Sequence, residues 1–371
     1  MSTPNIEHWL RLSQAVGVGP VTAMQLVEYW GSVTALWGAP LDAWCQSPMS
    51  SALIDALLQV SQSTVDQDRQ WAEQPDHSIL TIDDSAYPEW LRAISAPPLL
   101  LYIKGDPGCL SELQVAIVGS RRGSYHGRTL AHQLSCGLSD RGVVVTSGLA
   151  RGIDGAAHQG ALAGSGKTLA VLGSGLDVIY PSEHRRLASH IMERGALVSE
   201  YRPCARPRSY HFPQRNRIIS GLSCGVVVVE AARKSGSLIT VEHALEQGRE
   251  VFAVPGVAGV SSVEGCHALL RSGATLVECV EDVLQVVSNS SLRNDRVVSL
   301  STGHTKDDRG GMVPLDSECQ ILLECVDYKM TTVDEVRARS GLNVAKVNSM
   351  LLIIELKGYI TRVSGGYVRV D

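Results

Sequence analysis

The amino-acid sequence predicts an α/β protein: a Rossmann-like, doubly wound parallel sheet with a helical unit before it and a winged helix after it. Three observations predict this. All six tryptophans (Trp9, Trp30, Trp37, Trp44, Trp71, Trp90) fall in the first ninety residues, after which Gly, Val, Ala and Ser take over. Short β-branched runs then alternate with helix-period segments, the pattern of parallel strands with right-handed crossovers. Beyond residue 315, three helical segments precede two short strands joined at Gly365-Gly366, the order of a winged helix-turn-helix.

Each element has its own warrant. Ile6–Ala15 and Val21–Trp30 read as amphipathic helices joined by Gly17-Val18-Gly19-Pro20. A G-x-G turn between helices fits a SAM- or helix-hairpin-helix-like unit whose amides hold a DNA phosphate. A plain helix corner is the favoured reading, because no Lys or Arg stands in the turn or the second helix. Leu99–Ile103, Val115–Val118, Val143–Thr146, Leu169–Leu172, Val226–Val229 and Val251–Val254 are continuously apolar, as strands covered on both faces should be. Thr129–Asp140, Gly155–Ala163 and Thr240–Gln247 separate several of them as helices. The polar, aperiodic stretch Ser288–Pro314 reads as a linker. Leu315–Val326, Val333–Ser340 and Val344–Lys357 read as the winged-helix helices, with Ser340-Gly341-Leu342 as a tight turn and strands at Tyr359–Val363 and Tyr367–Val370. The expected domains are therefore 1–75, 76–287 and 315–371, with 288–314 between the last two.

Composition narrows the function. With 44% hydrophobic and 19% charged residues, the 371-residue chain has enough apolar surface for a real core, and disorder is excluded. No run reaches the roughly 18 to 20 apolar residues of a membrane span. Met1–Leu10 lacks the basic-then-apolar order of a secretory signal, so a cytoplasmic location is expected. Nine cysteines, never spaced C-x-x-C, read as reduced thiols and not as a zinc site. Net charge is −5, yet Tyr201–Val229 carries Arg202, Arg206, Arg208, Arg215 and Arg217 with no Asp or Glu. A local cluster of that kind, not the total, governs affinity for phosphates.

Four apolar strands lead into small residues: Gly119-Ser120-Arg121, Ser147-Gly148, Gly173-Ser174 and, after Val229, Gly236-Ser237. In a parallel sheet the strand ends share one edge, so these turns should converge into a phosphate-binding crevice. A dinucleotide cofactor is not expected there, since Arg121 occupies the place of the second glycine of G-x-G-x-x-G. Gly164-Ser165-Gly166-Lys167-Thr168 resembles the end of a P-loop, but it runs from helix to strand and Ala161 stands where a glycine is required. Asp154 and His158, four apart on a helix, read as an N-terminal cap and a packed neighbour. The densest signal is Phe212-Pro213-Gln214-Arg215-Asn216-Arg217: arginine forks pair with phosphate and an aromatic face takes a stacked base.

Several of these segments together resemble the DNA-processing protein A (DprA/Smf) family. They are Val118-Gly119-Ser120-Arg121, Ser147-Gly148-Leu149-Ala150-Arg151-Gly152-Ile153-Asp154, Gly173-Ser174-Gly175-Leu176-Asp177, Phe212–Ser223 and Ser235-Gly236-Ser237-Leu238-Ile239-Thr240, with Gly248–Gly256 beyond. The resemblance implies a protein that binds and protects single-stranded DNA, loads the RecA recombinase onto it during natural transformation, and acts as a homodimer without catalysis or cofactor. It also implies that Arg121 and the Phe212/Arg215/Arg217 segment line the DNA pocket. The full expected DNA-binding set is Gly119, Ser120, Arg121, Ser147, Gly148, Gly173, Ser174, Phe212, Arg215, Asn216, Arg217, Gly236 and Ser237. His184 and Cys266-His267 depart from the family pattern, where an Asn and a G-x-N motif are usual. The competing class is a nucleotide-hydrolysing phosphoribohydrolase, echoed by Ser235–Glu242, but Arg233-Lys234-Ser235 stand where that class has P-G-G. The apolar Val344–Lys357 helix, with only Lys346 near its start, predicts a minor part for the winged helix in DNA affinity.

Overall fold

The computed structural model describes residues 3–287, 322–323, 325–326, 331–342, 344–356, 359–363 and 366–369. A nine-stranded sheet runs through the larger unit, Met1–Val298. Its strands in chain order are β1 (His77–Thr81), β2 (Leu100–Gly105), β3 (Gln114–Val118), β4 (Val144–Ser147), β5 (Thr168–Val171), β6 (Ala196–Ser199), β7 (Gly225–Val228), β8 (Glu250–Ala253) and β9 (Thr275–Leu276). Their spatial order is β1-β2-β6-β5-β4-β3-β7-β8-β9.

From β6 to β9 every pairing is parallel, whereas β1–β2 and β2–β6 are antiparallel. The doubly wound sheet thus carries an antiparallel hairpin on one edge. Three strands lack a clear signal in sequence: β6 is built on Ala-Leu-Val-Ser, β9 has two residues, and β1 is half polar. Chain order reverses at β3, whose neighbours are β4 and β7, so the sheet has its topological switch there. Ligand crevices open beyond strand C-termini at such points.

Alternating residues divide the core. Ala116 and Val118 face one layer with Val226, Val228, Leu101 and Ile103, while Val115 and Ile117 face the other with Leu134, Leu138 and Ile153. Trp9, Leu12, Leu36 and Trp44 of the N-terminal helices join the first of these layers. Burying such side chains contributes roughly 1.5–3 kcal/mol each. Gly17, at φ +81°, turns the chain between the helices Thr3–Gln14 and Pro20–Trp30.

The smaller unit lies within Ser299–Asp371. Helix Val333–Ser340 starts on a capping box, Thr332 with Glu335, and ends at Gly341 in the left-handed region. Helix Val344–Leu356 and the hairpin of β10 (Ile360–Val363) and β11 (Gly366–Arg369) follow, and Thr331 pairs with Tyr367. Val336, Val347, Leu351, Ile354 and Ile360 form its core with Leu322 and Leu323. The linker expected at Ser288–Pro314 and most of the helix expected at Leu315–Val326 lie outside the described residues.

Candidate nucleic-acid interface

A cleft of about 460 Å³ opens at the switch point, beyond the ends of β3 and β7. Eight of the thirteen residues picked from the sequence line it: Gly119, Ser120, Arg121, Phe212, Arg215, Asn216, Gly236 and Ser237. The β3 turn is fixed from the β7 side by Glu230. Its carbonyl accepts from the Ser120 amide at 2.6 Å, and its buried Oε2 accepts from the Ser124 amide and hydroxyl at 2.9 and 2.8 Å. Ser124 in turn caps the Tyr125–Asp140 helix by accepting from Gly127.

Arg121 leaves that turn into solvent. Its guanidinium carbon lies 5.6 Å from the centre of the Phe212 ring, a cation–π contact. Among the described residues no carboxylate pairs with Arg121 or Arg122, both exposed and lining the cleft, or with Arg233 or Lys234, exposed between the cleft residues Ala232 and Ser235. The Ser237–Glu246 helix begins at Gly236 beside the cleft, and Ser235 holds its first two amides: its hydroxyl oxygen accepts from Ser237 at 3.3 Å and its carbonyl from Leu238 at 3.0 Å. The space over Gly236 is open. Arg121 and Phe212 thus place a guanidinium beside a half-buried aromatic face in one cleft.

The other half of the strand edge is closed. Arg215 is 4% exposed, and its Nη1 donates to the carbonyls of Gly148, at 2.7 Å, and Val171. One guanidinium thereby ties the end of β4 to the end of β5. Gly148 is required because a Cβ there would run into that guanidinium. Gly173 serves Phe212 the same way, since a Cβ would come within 2.8 Å of the ring. Ser147 donates to the carbonyl of Ile117 and Ser174 to that of Val178, both buried. Arg217 turns away from the cleft and forks onto Glu200 at 2.6 and 3.1 Å. Burial lowers Arg215 to about 10, with Asp154 opposing, so it stays cationic at neutral pH. Burial also raises the Asp154 carboxyl above the usual carboxylate range, against the pull of Arg215.

Asp154 does not cap its helix as expected. Sitting second in the helix Ile153–Ala163, it turns its carboxylate back to accept from the amides of Gly148 and Ala150, at 3.1 and 3.4 Å. It braces the preceding turn. His158 packs as expected, its Nδ1 2.8 Å from the Thr168 hydroxyl, and burial lowers it to about 3.

Comparison with known proteins decides the family. The model of the DNA recombination-mediator protein A family matches residues 78–288, which contain the whole cleft, and the DprA winged helix domain matches 312–366. The chain belongs to the DNA recombination-mediator protein A family. Among relatives, Protein Smf of Escherichia coli strain K12 is 45% identical over 300 residues, 81% of this chain and 79% of that one. DNA processing protein DprA of Streptococcus pneumoniae is 46% identical over 216 residues, 58% of this chain and 75% of that one. The crystal structure of DprA from Streptococcus pneumoniae superposes with a TM-score of 0.68 at 38% identity, covering 77% of this chain and 98% of that one. A Helicobacter pylori DprA structure, described for its single-stranded DNA binding mode, gives 0.51 at 29% identity over 58% and 96% of the two chains.

Within this family member, three features escape a reading of the sequence. Glu230 looks like an isolated acid after four valines, yet it holds the Arg121 turn. Arg233 and Lys234, which read only as a departure from another motif, are exposed cations between the cleft residues Ala232 and Ser235. His184, at a position where the family pattern has Asn, has its Nδ1 2.9 Å from the Leu149 carbonyl. Because a carbonyl only accepts, that nitrogen carries the proton. The P-loop-like segment is occupied by the protein itself: Lys167 pairs with Asp106 and Glu112 at 2.8 and 2.7 Å.

Proposed function

We propose that this chain is a single-stranded DNA-binding recombination mediator. It protects incoming DNA and loads RecA onto it during natural transformation, as a cytoplasmic homodimer and without catalysing a reaction. The observation that carries this reading is the Arg121 guanidinium, without a carboxylate partner among the described residues, against the Phe212 ring in a cleft that the exposed Arg122 also lines. A phosphate is held by Arg121, and an unpaired base stacks on Phe212. The names of the relatives, DNA processing proteins, and the single-stranded DNA described for the Helicobacter pylori protein support it. In this assignment Gly119, Ser120, Arg121, Phe212, Asn216, Gly236 and Ser237 meet DNA. Arg215, Gly148, Gly173, Ser147 and Ser174 hold the wall behind them, and Arg217 anchors to Glu200.

Titrating single- and double-stranded oligonucleotides at several salt concentrations tests the reading. Single strands should bind more tightly, with a log–log salt slope of about −4 if about six phosphates are neutralised. Equal affinity for duplex, or a flat salt response, overturns it. Adenine released from AMP would instead favour the nucleotide-hydrolysing class.

A further inference from the structure

A second hollow, of about 710 Å³, lies across the first turn of the His211–Leu222 helix from the cleft. Phe212 lines the cleft and its neighbour His211 lines this groove, so two consecutive residues form the ridge between them. Gln14, Val16 and Thr64 of the N-terminal helices make one wall, and Arg206, Arg208 and Tyr210 make the other. Both walls belong to the same compact unit.

The groove carries uncompensated positive charge. Among the described residues Arg206 has no ion-pair partner, and Arg208 bonds only to the Tyr210 hydroxyl, at 2.7 Å, with its guanidinium 6.0 Å from that ring. The nearby acids are already engaged, Glu200 by Arg217 and Asp68 by Arg202. Rings continue from the cleft across the ridge. Tyr180 lies 5.5 Å from Phe212, Tyr210 lies 4.7 Å from His211, and His211 stacks on Tyr201 at 3.9 Å. Tyr180 and Tyr210 are each about half exposed, with room for a base. Exposed rings interleaved with free guanidiniums suit an unpaired strand: bases take the rings and phosphates the cations. An acidic peptide would use the cations and leave the rings idle.

Resting on the single-strand reading of the cleft, we infer that the strand leaving the cleft crosses the Tyr210–Phe212 ridge and runs on through this groove. Arg206 and Arg208 hold its phosphates, Tyr210 carries a base, and the N-terminal helical unit supplies the far wall. The helical unit is thereby part of the DNA track.

The test compares full-length protein on oligo-dT of about 6 and about 20 nucleotides. Arg206→Ala/Arg208→Ala should weaken binding of the long oligonucleotide about tenfold or more and of the short one by less than about twofold. Val16, 84% exposed on the far wall, gives a second reading independent of those side chains. Val16→Lys should tighten the long complex and Val16→Glu should loosen it. Equal losses at both lengths, an unchanged long complex, or displacement by polyglutamate as effective as by poly-dT overturns the inference. Arg121→Ala separates the two claims. If it weakens the short complex while the groove variants change nothing, the groove alone is wrong. If it leaves the short complex unchanged, the cleft reading falls and the groove with it.

Discussion

The two halves of the strand edge start from the same material, a Gly-Ser turn at the end of a parallel strand, and they have opposite surroundings. After β3 and β7 the edge stays open, with Arg121 in solvent and empty space over Gly236, although Ile153 and the Glu230 carbonyl pack against Gly119. After β4 and β5 the same kind of turn is filled by the His211–Leu222 helix, which lays Arg215 on Gly148 and Phe212 on Gly173. A glycine at a strand end marks a close approach, but the sequence does not say whose. Where the protein supplies the approaching group, the turn is architecture. Where it supplies none, the turn is left for a ligand. The two arginines follow the same division: one is tied up by carbonyls in the wall, and the other is kept available.

Substitutions that exchange the two halves should give very different costs. The largest effect belongs to Arg215→Ala, which strands two carbonyls and leaves the buried Asp154 without its cation. Denaturant unfolding should show a loss of about 3–5 kcal/mol, and near-wild-type stability would mean that Arg215 is not the tie. His158 comes next, through pH. Its folded value of about 3 lies below its ordinary 6.5, so between those values the unfolded chain binds a proton that the folded chain refuses. Its stabilising contribution is therefore complete above pH 6.5 and is lost on acidification toward pH 3, by at most about 1.4 kcal/mol per pH unit. A His158→Gln variant should unfold with a shallower acid dependence across that window; parallel curves would contradict the assignment. Gly148→Ala forces a methyl against the Arg215 guanidinium and should cost about 1–3 kcal/mol. Gly236→Ala, made where the space is open, should move stability by less than about 0.5 kcal/mol. If the two glycines respond alike, the division of the edge into filled and open halves is wrong.

Much of this arrangement was legible in the sequence, for physical reasons. The parallel strands announced themselves as valine runs because both faces are buried, and the edge where their turns meet followed from parallel pairing alone. Strand β6 escaped because Ala196-Leu197-Val198-Ser199 is too short and too mixed to stand out, and with it went the antiparallel edge. At the site, Arg121 and Phe212 were readable from residue type and position. Arg215 was readable as an arginine beside the cleft but not as a buried one, because its partners are backbone carbonyls that carry no mark in the sequence. The same holds for Asp154, whose acceptors' donors lie on the preceding turn and not on its own helix. Arg217 shows the converse. Its acid, Glu200, lies just before the acid-free segment and returns to it only through the fold.

The central claim is that Arg121 is held free of protein partners for DNA, and one paired measurement on Arg121→Ala tests it most directly. Single-strand affinity and the denaturant midpoint are read on the same preparation. The account predicts an affinity loss of about 1.5–3 kcal/mol, the scale of a hydrogen bond to a charged group, with the midpoint unchanged. Wild-type affinity in a protein whose midpoint has collapsed would make Arg121 a structural residue and contradict the account.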